Sequence, residues 1–183
     1  MRIIAGEWRK RPLRAPAGES TRPTADRTRE TLFSMLLSRL GTFEDLRVAD
    51  LFAGSGALGL EALSRGAAHC LFVENDAAAI RTLRENIASM RAQQACDVRA
   101  SSVMALGPAK GAVPDLILLD PPYHTGAGIV ALEKLDRLGW IAPSCWIALE
   151  TAHNEDVKVK TLELEAERKV GKAKITLLRK ASV

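Results

Sequence analysis

The stretch from Arg47 to Ala62 restricts the fold of this chain more than any other. It reads Arg47-Val48-Ala49-Asp50-Leu51-Phe52-Ala53-Gly54-Ser55-Gly56-Ala57-Leu58-Gly59-Leu60-Glu61-Ala62. A short apolar run ending in a carboxylate passes three glycines and continues at helical spacing. That pattern predicts a strand, a tight turn and a helix N-terminus. Glycine lets the turn take positive φ and lets a ligand approach bare main chain. The helix that follows turns its unpaired N–H groups toward whatever lies in the turn.

The spacing Gly54-x-Gly56-x-x-Gly59 fits a dinucleotide fingerprint, and so admits NAD or FAD. Asp50, four residues before the first glycine, points elsewhere. A carboxylate there repels a pyrophosphate and holds an ammonium. Glu74 follows Gly54 by twenty residues, which suits a carboxylate accepting both ribose hydroxyls of a nucleoside. S-adenosylmethionine meets both conditions. It brings an adenosine for Glu74 and an amino-acid tail for Asp50, and it has no phosphate.

The rest of the chain alternates in the same manner. Ile3–Gly6 and Arg11–Arg14 predict a small hairpin around Glu7-Trp8-Arg9-Lys10, too short to stand alone in water. Pro16, Gly18 and Pro23 break the chain. A helix then starts at Thr24 or Asp26, with Leu32, Phe33, Leu36, Leu37 and Leu40 recurring before Gly41 stops it. Strands are predicted over 47–52, 70–74, 96–100, 115–119 and 146–150. Helices lie over 56–65, from Asp76 as N-cap to Met90, and around Ile129–Leu138. The tail gives two strands around Val170-Gly171-Lys172, an antiparallel hairpin. An α/β repeat ending in a hairpin is the strand plan of Rossmann-like class I methyltransferases. A mostly parallel seven-stranded sheet is therefore expected. On that plan residues 1–22 are expected to form a basic arm and 23–183 a domain of the methyltransferase type.

Composition narrows the setting. The 183 residues, 47% apolar, suit one globular domain. No apolar run approaches the roughly 20 residues that span a bilayer, and the start of the chain has no signal-peptide core. Cys70, Cys96 and Cys145 are scattered without metal-ligand spacing, so free thiols in a reducing cytoplasm and no metal site are expected. Net charge is +4, and residues 1–31 carry all of that excess, with eight Arg and Lys against four acids. A basic leading segment on a neutral body is suited to touching phosphate.

Asp120-Pro121-Pro122-Tyr123 follows a buried strand. Paired prolines deny helix and fix an extended, rigid turn. The Asp120 carboxylate and the Pro121 carbonyl then form two acceptors pointing one way, with Tyr123 as a flat face beside them. This is a clamp for a planar –NH₂ group. Accepting both N–H bonds aims the nitrogen lone pair at a sulfonium methyl, so positioning and electrostatics supply the acceleration. As nitrogen gains positive charge, Asp120 stabilises it or takes its proton.

These residues resemble the class I methyltransferases whose Asp/Asn-Pro-Pro-Tyr motif modifies exocyclic amines. More narrowly, Arg2-Ile3-Ile4-Ala5-Gly6, Arg22-Pro23-Thr24-Ala25-Asp26-Arg27, Arg29-Glu30-Thr31-Leu32-Phe33, Asp50–Gly56 and Asp120–Tyr123 are similar to the RsmD family. Those bacterial enzymes methylate the 2-amino group of one guanine in 16S ribosomal RNA. The resemblance implies S-adenosyl-L-methionine as cofactor. It also implies ribosomal RNA in the small subunit or its assembly intermediate as partner, and a cytoplasmic monomer. Asp120, Pro121, Pro122 and Tyr123 become the catalytic set. Asp50, Phe52, Gly54, Ser55, Gly56, Gly59, Glu74, Asn75 and Ser102 hold the cofactor. Arg9, Lys10, Arg11, Arg22 and Arg27 hold RNA, with Trp8 as a stacking surface. Such enzymes often carry an acid beside the adenine after the third strand. Here Ser101-Ser102 stands there, and the Ser102 hydroxyl is assigned that contact.

Rival readings are an adenine or cytosine amino-methyltransferase on another RNA or on DNA, a protein-glutamine methyltransferase, an NAD-dependent oxidoreductase and a non-catalytic RNA-binding module. A DNA enzyme needs a target-recognition segment that has no room here. A glutamine methyltransferase leaves the arginine-rich start without a role. The oxidoreductase leaves the Asp-Pro-Pro-Tyr turn and the C-terminal hairpin unexplained, and an RNA-binding module accounts for the arm alone.

Overall fold

A computed structural model of the chain describes residues 1–16 and 23–182. Seven strands form one sheet: β1 (Arg47–Leu51), β2 (His69–Glu74), β3 (Cys96–Ala100), β4 (Leu116–Leu119), β5 (Trp146–Ala152), β6 (Leu162–Val170) and β7 (Ala173–Lys180). The helices are α1 (Pro23–Leu40), α2 (Ala57–Ser64), α3 (Ala77–Ser89) and α4 (Ala127–Arg137). Strand order is β3-β2-β1-β4-β5-β7-β6, with the first five strands parallel and β7 antiparallel to both its neighbours. Strand order therefore reverses between β1 and β4, where an open α/β sheet leaves a crevice at its carboxyl edge.

Both faces of the sheet are covered, which is why β4 is buried at every position. Leu32, Phe33 and Leu36 of α1, Leu60 and Leu63 of α2 and Leu83 and Ile87 of α3 pack with Val48, Phe72, Leu116 and Leu118. On the other face Ala131, Leu132 and Leu135 of α4 meet Ala49, Leu51, Ile117, Leu119, Ile147 and Leu149. No helix among the described residues is long and apolar enough to cross a membrane.

Most expected boundaries agree to within two residues. Asp76 caps α3, its Oδ2 accepting from the Ala79 N–H at 2.9 Å. The N-terminal hairpin is reduced. Its only bridge pairs Arg2 with Pro12, supported by bonds from Ile3 N–H to the Arg11 carbonyl and from Leu13 N–H to the Met1 carbonyl. Side-chain contacts to the body replace the missing ladder. Glu61, fully buried in α2, accepts from the Ile4 and Ala5 N–H groups at 2.9 and 3.0 Å. Ser64 Oγ accepts from the Trp8 N–H and donates to the Ala5 carbonyl. The buried Arg29 guanidinium bonds the Arg2 carbonyl and lies beside Glu61 at 3.5 Å.

Candidate active site

A cavity of about 770 Å³ opens over the carboxyl ends of β2, β1, β4 and β5. Met1, Ala15 and Pro16 of the N-terminal segment and Ala25 and Arg29 of α1 form its opposite rim. The volume is that of a small-molecule site.

The three glycines divide by role. Gly54 (φ 57°) borders the cavity, and a Cβ there would meet nothing within 4 Å. Gly56 (φ 85°) and Gly59 do not line it. A Cβ on Gly56 would lie 2.4 Å from Leu83 Cδ1, and one on Gly59 2.4 Å from the Phe72 ring. Those two let α2 close against α3 and the sheet. Phe52 forms part of the wall with φ 58°, a conformation that costs a bulky residue about 1–3 kcal/mol. Ser55 also lines the cavity, and its carbonyl accepts from Asn86 Nδ2 at 2.9 Å.

Asp50 is buried in the floor. Its Oδ2 accepts from the Gly59 N–H at 2.9 Å, so this carboxyl stands at the α2 N-terminus where a dinucleotide domain holds pyrophosphate. Oδ1 is buried with no hydrogen-bond partner among the described residues. Burial pushes the carboxyl up to about 8; the Gly59 bond opposes this and the Glu74 charge adds to it. An incoming ammonium would satisfy Oδ1 and restore the charge, whereas a phosphate would compound the repulsion.

Glu74 is more committed than the sequence predicts. Oε1 accepts from the Gly54 N–H at 2.8 Å, and Oε2 from the Asn75 and Asp76 N–H groups at 3.0 and 2.9 Å. A carboxylate offers about four acceptor sites, so Oε1 keeps one for a ligand hydroxyl instead of two. Asn75 lines the cavity beside it. Ser102 stands apart from the lining residues: its Oγ accepts from the Met104 N–H at 3.1 Å and caps the 3₁₀ turn at 103–105.

The Asp-Pro-Pro-Tyr turn is wedged in place. Pro121 is buried, and Gly128 of α4 comes so close that a Cβ would fall 3.1 Å from Pro121 Cγ and 2.6 Å from Leu149. Asp120, Pro121, Pro122 and Tyr123 all line the cavity, on the same edge as Gly54 and Glu74. The Tyr123 hydroxyl donates to Glu150 Oε2 at 2.6 Å. Burial, then this bond and the surrounding carboxyls, raise the phenol well above its usual range, so it remains a neutral donor. Glu150 was not expected at the site. The available signal was its place at the end of an apolar strand, as with Asp50, Glu74 and Asp120.

Arg9 and Lys10 are exposed at the hairpin tip, and Arg27 on α1. Arg11 is exposed but donates to the Ser89 carbonyl at 2.6 Å. Arg22 lies outside the described residues. Trp8 is half-buried against the core, with part of its surface left for stacking.

Comparison with known proteins bears on this geometry. The model of the family described as Conserved hypothetical protein 95 matches residues 1–179. Ribosomal RNA small subunit methyltransferase D of Escherichia coli K12 is 40% identical over 151 residues, covering 82% of this chain and 74% of that protein. The protein of the same name from Haemophilus influenzae is 39% identical over 154 residues, covering 82% and 78%. Among solved structures, yhhF of Escherichia coli superposes with a TM-score of 0.83 at 36% identity, over 100% of this chain and 99% of that one. The sheet order and these matches together are those of a Rossmann-like class I methyltransferase.

Proposed function

Because the chain belongs to the Conserved hypothetical protein 95 family, which its RsmD-like motifs indicate, we propose that it methylates the 2-amino group of a guanine in 16S ribosomal RNA. S-adenosylmethionine, when bound, supplies an electrophilic methyl on sulfonium. The observation that carries this reading is one cavity joining two chemistries. Asp50 and Glu74 offer an unpartnered carboxyl oxygen and a spare acceptor at one end, and Asp120-Pro121-Pro122-Tyr123 stands at the other.

In this reading Asp50 takes the cofactor's ammonium and Glu74 one ribose hydroxyl. Gly54, Phe52, Ser55 and Asn75 shape the walls around them. Gly56 and Gly59 act indirectly, by setting the distance between α2 and the sheet. Asp120 and the Pro121 carbonyl accept the two N–H bonds of the guanine amine while Tyr123 flanks the base. The base must leave its stack to reach this edge. Arg9, Lys10, Arg11 and Arg27, with Arg22, hold RNA phosphates at the arm, which is how structured RNA is mostly gripped. The substrate is the small subunit or an assembly intermediate, and the protein works as a cytoplasmic monomer.

The test is methyl transfer from tritiated cofactor to small subunits lacking the modification, followed by nucleoside analysis. Label in N2-methylguanine is the expected result. Label in a methylated adenine or cytosine would replace the guanine assignment, and calorimetric binding of NAD but not S-adenosylmethionine would overturn the class.

A further inference from the structure

One ionisable side chain in the cavity wall has no role in the scheme above. Glu150 belongs to β5, which pairs in parallel with β4 so that Leu149 stands opposite Leu119. Glu150 and Asp120 therefore occupy corresponding positions, each one residue past that pair, and both line the cavity. Glu150 Oε2 accepts the Tyr123 hydroxyl at 2.6 Å, and its carboxyl shares a hydrogen bond with that of Asp120. A single group on β5 is thus bonded to both polar side chains of the turn that follows β4.

That turn needs such a brace. Its backbone is fixed by two prolines, but Tyr123 is 39% exposed and Asp120 is exposed. Side chains that open to solvent sample several rotamers unless something holds them. A hydroxyl-to-carboxylate bond of 2.6 Å is in the short, strong range.

We propose that Glu150 is a positioning residue for methyl transfer, fixing the Tyr123 ring and the Asp120 carboxyl relative to one another so that the bound amine presents its lone pair to the methyl donor. This rests on the reading of the cavity as an amine methyltransferase site. Burial raises Glu150 above the usual carboxylate range, while the bonds with Tyr123 and Asp120 pull it partly back. Two carboxyls in one site retain a proton between them more readily than two separate ones. Glu150 is the acceptor for Tyr123, so it holds the Tyr123 ring and the Asp120 carboxyl on the same side of the cavity and leaves Asp120 an oxygen for the amine. The amine nitrogen bonds the methyl carbon and the carbon–sulfur bond breaks, its pair staying on sulfur. One N–H proton passes to Asp120 and then to water.

The other charged groups near Glu150 do not supply a substitute. Glu155, in the turn after β5, adds negative charge near Tyr123 and accepts from the Ala152 N–H. Lys174 on β7 is committed to the Glu155 carbonyl and to Glu167 at 3.8 Å.

The experiment compares wild type, Glu150→Ala and Glu150→Gln in methyl transfer to unmodified small subunits across pH, with cofactor affinity measured separately by calorimetry. Glu150→Ala should lose about a hundredfold in kcat, the cost of a misplaced reacting group, with cofactor affinity unchanged. Glu150→Gln should recover most of that loss, because its amide oxygen accepts from Tyr123 and its NH₂ donates to Asp120. A neutral donor also holds Asp120 ionised, so the acidic limb of the Gln variant's kcat profile should move to lower pH. Wild-type kcat in Glu150→Ala, or an unmoved acidic limb in Glu150→Gln, would overturn the proposal. No transfer by the wild-type protein itself would instead remove the parent reading, and is read first.

Discussion

The two halves of the cavity satisfy their carboxyl groups in opposite ways. At the β1 and β2 ends, Asp50 and Glu74 accept backbone N–H groups of Gly59, Gly54, Asn75 and Asp76. At the β4 and β5 ends, the Tyr123 hydroxyl is held by a side chain, Glu150, which also interacts with Asp120. Backbone donors are fixed by the fold, so the first half is organised before any ligand arrives. Side chains reorient more readily than backbone, so the second half can turn as a unit around an incoming base while Glu150 keeps its hold on Tyr123. A donor common to every turnover suits the rigid half, and a base that must be flipped in suits the adaptable one.

The largest expected effect separates the halves. Asp120→Ala removes the carboxyl proposed to accept from the reacting amine, so kcat should fall by about 10²–10⁴-fold. Cofactor affinity should not change, because the Asp50 and Glu74 bonds are untouched. Retained turnover in a folded variant would break the assignment of the β4 half to the substrate.

Asp50→Asn probes the rigid half and acts in two directions. The folded chain binds the Asp50 proton with a value of about 8, against 3.8 for the ordinary group. Stability carried by that proton is complete below about pH 4 and is lost as pH rises through about 8. Asparagine keeps an acceptor for the Gly59 N–H without the buried charge. The variant should therefore melt higher than wild type at pH 8, with the gain disappearing toward pH 4. Losing the partner of the cofactor's ammonium should weaken calorimetric binding by about 10–100-fold, the worth of a charged hydrogen bond. A pH-independent stability difference would show that Asp50 is not the group titrating.

How much of this was legible in the sequence follows from the range of each interaction. The strands, the helices and the Asp76 cap depend on spacings within one element, and they read directly. The Asp-Pro-Pro-Tyr turn also reads directly, because proline acts on its own backbone. Glu150 did not, since its partners come from β4 and only the β4–β5 pairing brings them together. A glycine motif does not say which glycine faces the cavity and which faces the core. The Phe72 ring opposite Gly59 is what decides. Ser102 follows β3 as the spacing indicates, and its hydroxyl also caps the next turn by accepting from the Met104 N–H, a contact within two residues.

Gly59→Ala sharpens that distinction. A methyl group at 2.4 Å from the Phe72 ring and 2.7 Å from Cys70 Sγ overpacks a buried contact and should cost about 1–3 kcal/mol in denaturant unfolding. If Gly59 instead faced the ligand, stability would stay near wild type and only cofactor binding would suffer.

The smallest effect on turnover is expected at the arm, which is anchored to the rigid half while its cations are proposed to hold RNA. Asn86 of α3 is the joint. Its Nδ2 donates to both the Ser55 and Arg14 carbonyls, at 2.9 and 3.0 Å, and its Oδ1 accepts from the Arg14 N–H at 2.9 Å. The arm and the glycine turn thus share one side chain, but Arg9 and Lys10 project away from it into solvent. Replacing Arg9, Lys10 and Arg11 by glutamine should leave kcat at saturating RNA unchanged and weaken RNA binding. Each lost phosphate contact makes the dependence of log K on log salt shallower by about 0.7–0.9, so the triple variant should lose about two units of slope. Cofactor affinity should hold, because among the described residues the side-chain bond to the body that is removed is the one from Arg11 to the Ser89 carbonyl, at the far end of α3 from its capping residue Asp76. An equal fall in cofactor affinity would mean that the arm stabilises the glycine turn through Asn86, and that its charge is incidental to RNA.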